Sequence, residues 1–372
     1  MGGLHGNEPA GVHALQRVLK KLVEDRTPLN GRLIALTGNG KALERDQRFL
    51  DEDLNRIWHP ERLERVRRSG DPAGHERSNT RPAEAAEQLL TAEEEEMREL
   101  DREMRAAQAS ATGDVYFLDL HSTSASSPAF VTLDDNLRNR RFAFALPVPH
   151  VVGLEEELAG TLVDTLCSQG VVAIGFESGQ HRDPKSVDRA EAAIWISLET
   201  AGILAEGSRS EVDAGRKMLA AEAKDLPAVM ELSYRHAITP EDEFVMRPGY
   251  QSFQPIAAGE ILADSKAGTV SRPQPGIILM PLYQGLGNDG FFVVQEISKF
   301  WLLLSAWVRR LHLERVVHWL PGVKKHGEIE GAFAVDTRKA RWLALEFFHL
   351  LGFRRHAKSP EQLVMIRRND EG

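Results

Sequence analysis

The chain has 372 residues, 42% hydrophobic and 27% charged, a soluble globular balance that excludes wholesale disorder and allows two or three packed units. Lys and Arg number 46 against 55 Asp and Glu, a net charge of −9, which offers no basic surface for nucleic acid as the main partner. The single cysteine, Cys167, excludes an internal disulfide and fits a reducing compartment.

The start, Met1-Gly2-Gly3-Leu4-His5, has neither the basic region nor the apolar run of a signal peptide. The longest apolar stretches, such as 301–304, are too short to span a bilayer, so the chain reads as cytoplasmic with no membrane partner. Residues 9–23 read as a helix, with Pro9 in its first turn and Val12, Leu15, Val18, Leu19 and Leu22 on one face. Residues 31–37 read as a short buried strand ending at Gly38-Asn39-Gly40. Residues 60–110, rich in Arg and Glu and including Glu93-Glu94-Glu95-Glu96, read as a solvated helical insertion with a loop around 69–82. Two apolar strands follow: 115–120, running into His121, and 171–176, running into Glu177. A helix is expected at 187–204. Strands alternating with helices imply an α/β layer fold with a largely parallel sheet over 1–224.

From Val229 to Val294 short alternating stretches are broken by Pro248, Gly249, Pro255, Gly259, Pro273, Pro275, Gly276 and Gly285. They predict a β domain over 225–295 that covers the site. Residues 296–372 read as an α/β appendage: a helix at 297–320 with Trp301, Trp307 and Trp319 as packing, then 329–336, a helix at 338–351 and 363–367 as a β-α-β unit.

In an open α/β sheet ligands gather at the carboxyl ends of the strands. His121 and Glu177 stand at such ends, and His5 and Glu8 lie in the turn before the first helix. Two imidazoles and a carboxylate are the ligand set of a catalytic zinc with one position open for water, and Glu177 is left as the general base. Asn55 and Arg56, side by side in a turn, can clamp a carboxylate through an amide donor and a guanidinium fork. Ser122, Thr123 and Ser124 lack a nucleophile elbow. His13 reads as a helix-face residue, His181 as a loop residue near the pocket, and Cys167 as buried and inert.

The ordered motifs Gly3-Leu4-His5-Gly6-Asn7-Glu8-Pro9-Ala10-Gly11, Asp53-Leu54-Asn55-Arg56, Asp119-Leu120-His121 and Phe176-Glu177-Ser178-Gly179 resemble the succinylglutamate desuccinylase/aspartoacylase family of zinc carboxypeptidase-like hydrolases. The resemblance covers roughly residues 1–295. It implies a zinc-carboxypeptidase-like mixed sheet with flanking helices. It also implies one zinc per chain on His5, Glu8 and His121, with Glu177 as the catalytic glutamate and Arg48 polarising the scissile carbonyl. Asn55 and Arg56 would hold the substrate carboxylate, and Asp119 would orient His121.

Three departures stand out. The family has a strand and leading segment ahead of the His-x-x-Glu motif, whereas this chain begins almost on it, so a start truncated relative to the family is expected. The gap from Glu8 to His121 is lengthened by the charged insertion. No residues match the basic and tyrosine residues with which other members recognise an acyl or side-chain carboxylate.

The activity implied is zinc-dependent hydrolysis of the amide bond of a small N-acyl amino acid. A carboxypeptidase acting on small peptides and a catalytically idle metal-binding scaffold remain open as alternatives. So do the acyl group, the amino acid and homo-oligomerisation.

Overall fold

The computed structural model describes residues 1–69, 89–155, 157–205, 209–298, 305, 323–325, 332–336, 353–358 and 362–367. The helices expected at 297–320 and 338–351, with Trp301, Trp307 and Trp319, and the loop around 69–82 lie outside the described residues or almost entirely so.

The helices are α1 (Ala10–Glu24), α2 (Gly40–Leu43), α3 (Pro60–Ser69), α4 (Ala92–Ala109), α5 (Leu137–Ala143), α6 (Leu162–Ser168), α7 (Pro184–Thr200) and α8 (Arg209–Glu222). The first strands are β1 (Tyr116–Thr123), β2 (Phe130–Leu133), β3 (His150–Val152) and β4 (Val172–Gln180). They are followed by β5 (Val229–Ala237), β6 (Val245–Met246), β7 (Gln254–Ile256), β8 (Ile261–Ser265), β9 (Gly268–Ser271), β10 (Gly276–Leu279) and β11 (Asp289–Glu296).

An eight-stranded sheet runs in the order β1-β4-β2-β3-β5-β11-β10-β7. The β1–β4, β2–β3 and β3–β5 pairs are parallel and the rest antiparallel. The fold is thus a mixed α/β sheet flanked by helices. The strands β5, β11, β10 and β7 extend the sheet that carries β1 and β4, while β6, β8 and β9 form a separate three-stranded sheet. Beyond them, β12 (Val323–Lys325), β13 (Ala332–Asp336), β14 (Phe353–Lys358) and β15 (Gln362–Arg367) form a four-stranded sheet in the order β12-β13-β15-β14.

Period-two alternation assigns each face of β4. Val172, Ile174 and Phe176 pack into one core with Leu15 and Val18 of α1 and Trp195 of α7. Ala173 points into the opposite core with Leu54, Trp58, Met97 and Leu162. Burying a side chain the size of Phe176 stabilises the fold by roughly 1.5–3 kcal/mol. On β11 the same alternation sends Phe292 and Val294 to one cluster and Phe291 and Val293 to the other, against the small sheet.

Two expectations need correction. Residues 31–37 form no regular strand: Thr37 makes a single parallel bridge to Gly2, which also bridges Leu120 of β1. A cavity of about 780 Å³ lies between residues 30–36 and β1, so most of that segment has no strand to pair with. The charged insertion is not simply solvated either. Its helices α3 and α4 pack on the sheet through Leu63, Val66, Met97, Leu100 and Met104, and Glu93 and Glu94 are fully buried.

Candidate active site

His121 and Glu177 occupy the carboxyl-terminal halves of neighbouring parallel strands and are register partners across β1 and β4. The bridge from Gly2 to Leu120 brings the turn 4–9 beside them, and α1 starts directly after it at Ala10. Gly6 allows this turn to meet residues 42–48 closely: a Cβ there would lie 2.2 Å from the Ala42 carbonyl carbon and 2.3 Å from the Gln47 oxygen. Its N–H donates to the Arg48 carbonyl at 3.0 Å, which carries Arg48 into the site.

The ligating atoms of His5, Glu8 and His121 all lie within 4.8 Å of one another. Both imidazoles present Nδ1 to the Glu8 carboxylate, His5 at 2.9 Å and His121 at 3.1 Å, and the Ser122 N–H donates to the same carboxylate at 2.9 Å. The far nitrogens are backed by carboxylates. His5 Nε2 is 3.1 Å from Asp53 Oδ1, and His121 Nε2 is 3.0 Å from Asp119 Oδ2. Burial works against charge on Glu8, yet the two imidazoles hold it well below the usual carboxylate range. Burial likewise disfavours charged His121, yet Asp119 and Glu8 keep its pKa well above 6.5. Two imidazoles and a carboxylate, converging and backed by second carboxylates, suit a zinc ion with one position left for a further ligand.

Glu177 is half-buried beside this cluster, and its buried Oε2 has no hydrogen-bond partner among the described residues. Burial above all, with Glu8 and Asp119 nearby, pushes its carboxyl up to about 8, against the pull of His121 and Arg48. Arg48 donates to Asp53 Oδ2 from Nε at 3.1 Å and from Nη2 at 2.9 Å. It lines the same cavity as His5, Glu8, His121 and Glu177, a space of about 130 Å³.

Asn55 and Arg56 also line the cavity, but each is engaged. Asn55 Oδ1 accepts from the Leu162 N–H at the start of α6 at 2.9 Å. Arg56 Nη2 donates to Asp289 Oδ2 at 3.1 Å, and Nη1 donates to the Asn55 carbonyl, while its buried Nε has no partner. Gly160, at φ +72°, seats the turn, because a Cβ there would meet the Arg56 carbonyl oxygen at 2.4 Å.

Sequence reasoning did not place Asp53, Gln284 and Asp289 in the site, whereas His181, expected near the pocket, lines it. Asp53 supports His5, and its place in the Asp53-Leu54-Asn55-Arg56 motif was the available signal. His181 accepts at Nδ1 from the Ser122 hydroxyl at 2.8 Å and donates from Nε2 to Gln284 Oε1 at 3.1 Å. Burial lowers its pKa, which favours the neutral ring. Gln284 comes from the connection between β10 and β11 and Asp289 from the first position of β11, where only the nearby glycines marked a loop. Cys167 is buried, with its thiol pushed up to about 12 by burial, and His13 is exposed on α1.

The family model of the succinylglutamate desuccinylase/aspartoacylase catalytic domain matches residues 1–195. The chain belongs to this family. A succinylglutamate desuccinylase of Pseudomonas paraeruginosa (strain DSM 24068 / PA7) is 37% identical over 57 residues, which span 15% of this chain and 17% of the relative's length. The succinylglutamate desuccinylase/aspartoacylase structure from Rhodobacter sphaeroides superposes with a TM-score of 0.54 at 19% identity, covering 80% of this chain and 84% of that one. The product-bound ectoine utilization protein EutE (DoeB) of Ruegeria pomeroyi gives 0.52 at 20% identity, covering 79% and 83%. At these identities the structural likeness establishes the family's fold in this chain. The charged insertion carrying α3 and α4 lies inside the matched catalytic domain.

Proposed function

We propose that this protein hydrolyses the amide bond of an N-acyl amino acid, with one zinc ion held by His5, Glu8 and His121. The observation that carries the reading is the convergence of those three side chains beside Glu177, a half-buried carboxyl with a buried, unpartnered oxygen and a pKa pushed up to about 8. Zinc bound there would supply a Lewis acid that activates water and polarises the amide carbonyl.

The chain's own groups then have distinct tasks. Glu177 takes the proton of the attacking water and returns it to the leaving amine, a role that its raised pKa suits near neutral pH. Arg48, oriented by Asp53, offers its guanidinium to the oxygen on which charge develops. Arg56 holds the substrate carboxylate through the donor that lacks a partner. Asn55 shapes the same corner while anchoring α6. His181 and Gln284 close the opposite side and exclude water.

The loop between β10 and β11 favours a small substrate over a peptide. Gln284 accepts from Asn7 at 2.8 Å, and the Tyr283 N–H donates to Ser124 Oγ at 3.0 Å, so the loop is fastened over the cavity.

Elemental analysis and a hydrolysis screen of N-acetyl and N-succinyl amino acids with added zinc test the proposal. The expected result is about one zinc per chain, release of a free amino acid from at least one compound, and loss of both metal and activity in His121→Ala. Equal zinc in wild type and His121→Ala would remove His121 from the site, and a zinc-loaded protein inert to the whole panel would overturn the activity.

A further inference from the structure

The cavity has more acid than base. Among the described residues, its lining cations are Arg48 and Arg56 alone, and each already faces a carboxylate, Asp53 and Asp289 respectively. Five carboxylates line it: Glu8, Asp119, Glu155, Glu177 and Asp289. Among the described residues, the buried cationic donor there without a partner is Arg56 Nε, which is one place for one substrate carboxylate. Part of the remaining lining is apolar, formed by Leu154, Leu158, Val163, Met280, Leu282 and Phe292, beside uncharged polar groups such as Thr132, Thr161 and Asn288. A second carboxylate pressed against that apolar part would be desolvated and would meet no cation among the described residues.

We propose that the site selects N-acyl amino acids carrying a single carboxylate, with an uncharged apolar group lying against this wall, and that it rejects dicarboxylates. The inference rests on the amide-hydrolase reading of the same site. An apolar group gains by burial there, and the single carboxylate meets Arg56. A dicarboxylate meets Arg56 with one end and has no cation for the other. The preference therefore comes from the apolar part of the wall and the lack of a second unpaired cation, and not from the zinc cluster.

The test compares N-acetyl-leucine and N-acetyl-methionine with N-acetyl-aspartate and N-succinyl-glutamate, using the zinc-loaded full chain. The monocarboxylates should exceed both dicarboxylates in kcat/KM by at least about tenfold, the scale on which an unpaired buried charge is discriminated. Dicarboxylates equal to or faster than the monocarboxylates would overturn the inference and leave the hydrolase reading intact.

If no compound is cleaved, the hydrolase reading fails, and calorimetric binding of N-acetyl-leucine against N-acetyl-aspartate still decides the selectivity. Tighter binding of N-acetyl-leucine supports the inference, and equal or weaker binding overturns it. Leu282→Arg gives a second readout. Leu282 is half-buried at the cavity wall, so a longer side chain can be accommodated there. The variant should shift the dicarboxylate-to-monocarboxylate ratio upward by about fivefold or more. A folded variant with an unchanged ratio would take the apolar wall out of the selection.

Discussion

Glu8 and Glu177 line one cavity, yet their surroundings leave them in opposite protonation states. Glu8 is ionised because two imidazoles face it, whereas Glu177 keeps its proton up to about pH 8 because burial outweighs the pull of His121 and Arg48. In the unfolded chain Glu177 loses that proton near 4.5. Between these two values the unfolded state binds fewer protons, so the Glu177 contribution makes the metal-free protein less stable as pH rises. A glutamine has no proton to lose. The melting advantage of metal-free Glu177→Gln over wild type should therefore be larger at about pH 7.5 than at about pH 5. An equal offset at both would mean that Glu177 is already ionised at the lower pH. With zinc present the same variant should retain the metal and lose roughly 10²–10⁴ in rate, as the loss of a general base does.

His121 supplies the converse case. Its folded pKa is raised, so its ion pairs with Glu8 and Asp119 stabilise the metal-free protein fully below 6.5, and this stability is lost as pH rises through the folded pKa. Zinc needs the neutral ring and must displace that proton. Apparent zinc affinity should climb with pH through neutrality. Binding enthalpy should also differ between buffers of unlike ionisation heat. The same enthalpy in both buffers would mean that no proton leaves on binding.

At the level of elements, the first turn of α4 does more for the site than its charge pattern suggests. Thr91 and Glu94 form a reciprocal cap, and the Glu93 carboxylate accepts from Asn39 Nδ2 and from the N–H groups of Leu50, Asp51 and Glu52. Glu93 thereby holds the backbone just ahead of Asp53, Asn55 and Arg56. Glu93→Gln turns one acceptor oxygen into a donor against N–H groups, which costs roughly 1–3 kcal/mol for each donor left unpaired. Thermal unfolding should show the loss, and the zinc-loaded variant should turn over more slowly without releasing metal, since none of its ligands is touched. A lower Tm with unchanged kcat/KM would mean that the Asp53 turn is held by other contacts.

Four glutamates in a row read as a solvated face because sequence carries no record of the four donors that converge on one of them. The apolar runs of β1 and β4 were legible because each is hydrophobic on both faces, and the strand ends marked His121 and Glu177 in the same way. Residues 31–37 carried the same apolar signal, but a strand needs a neighbour, and only Thr37 finds one. Periodicity also gave no indication that β5, β7, β10 and β11 pair into the sheet that holds the site, since pairing partners depend on topology. For the same reason Gln284 and Asp289, more than a hundred residues from Glu177 in sequence, left no trace near it.

Across the whole molecule, the turn that carries the first half of the site and the strands that carry its far wall meet at one carboxylate. Asp289, at the start of β11, receives Arg56 Nη2 at 3.1 Å on one oxygen and Arg235 Nε of β5 at 2.6 Å on the other. The three side chains are between 13% and 23% exposed, so solvent weakens this link only in part. Asp289→Asn keeps the shape and removes the charge, leaving two guanidinium groups beside each other without their anion. Breaking a largely buried pair from one side is destabilising, and we expect a loss of roughly 1–3 kcal/mol once partial exposure is allowed for. The decisive measurement is a double-mutant cycle on unfolding free energy with Arg56→Met. If Asp289 joins the two halves through Arg56, the losses should be less than additive by about 0.5–3 kcal/mol. The Arg56→Met loss should shrink further when Asp289 is already asparagine, because the remaining contact from Arg56 runs only to the Asn55 carbonyl. Additive losses would mean that Arg56 and Asp289 do not act as a pair in solution. Arg56 would then be free of any competing anion, and the single-carboxylate limit drawn from its occupied guanidinium would have to rest on the apolar wall alone.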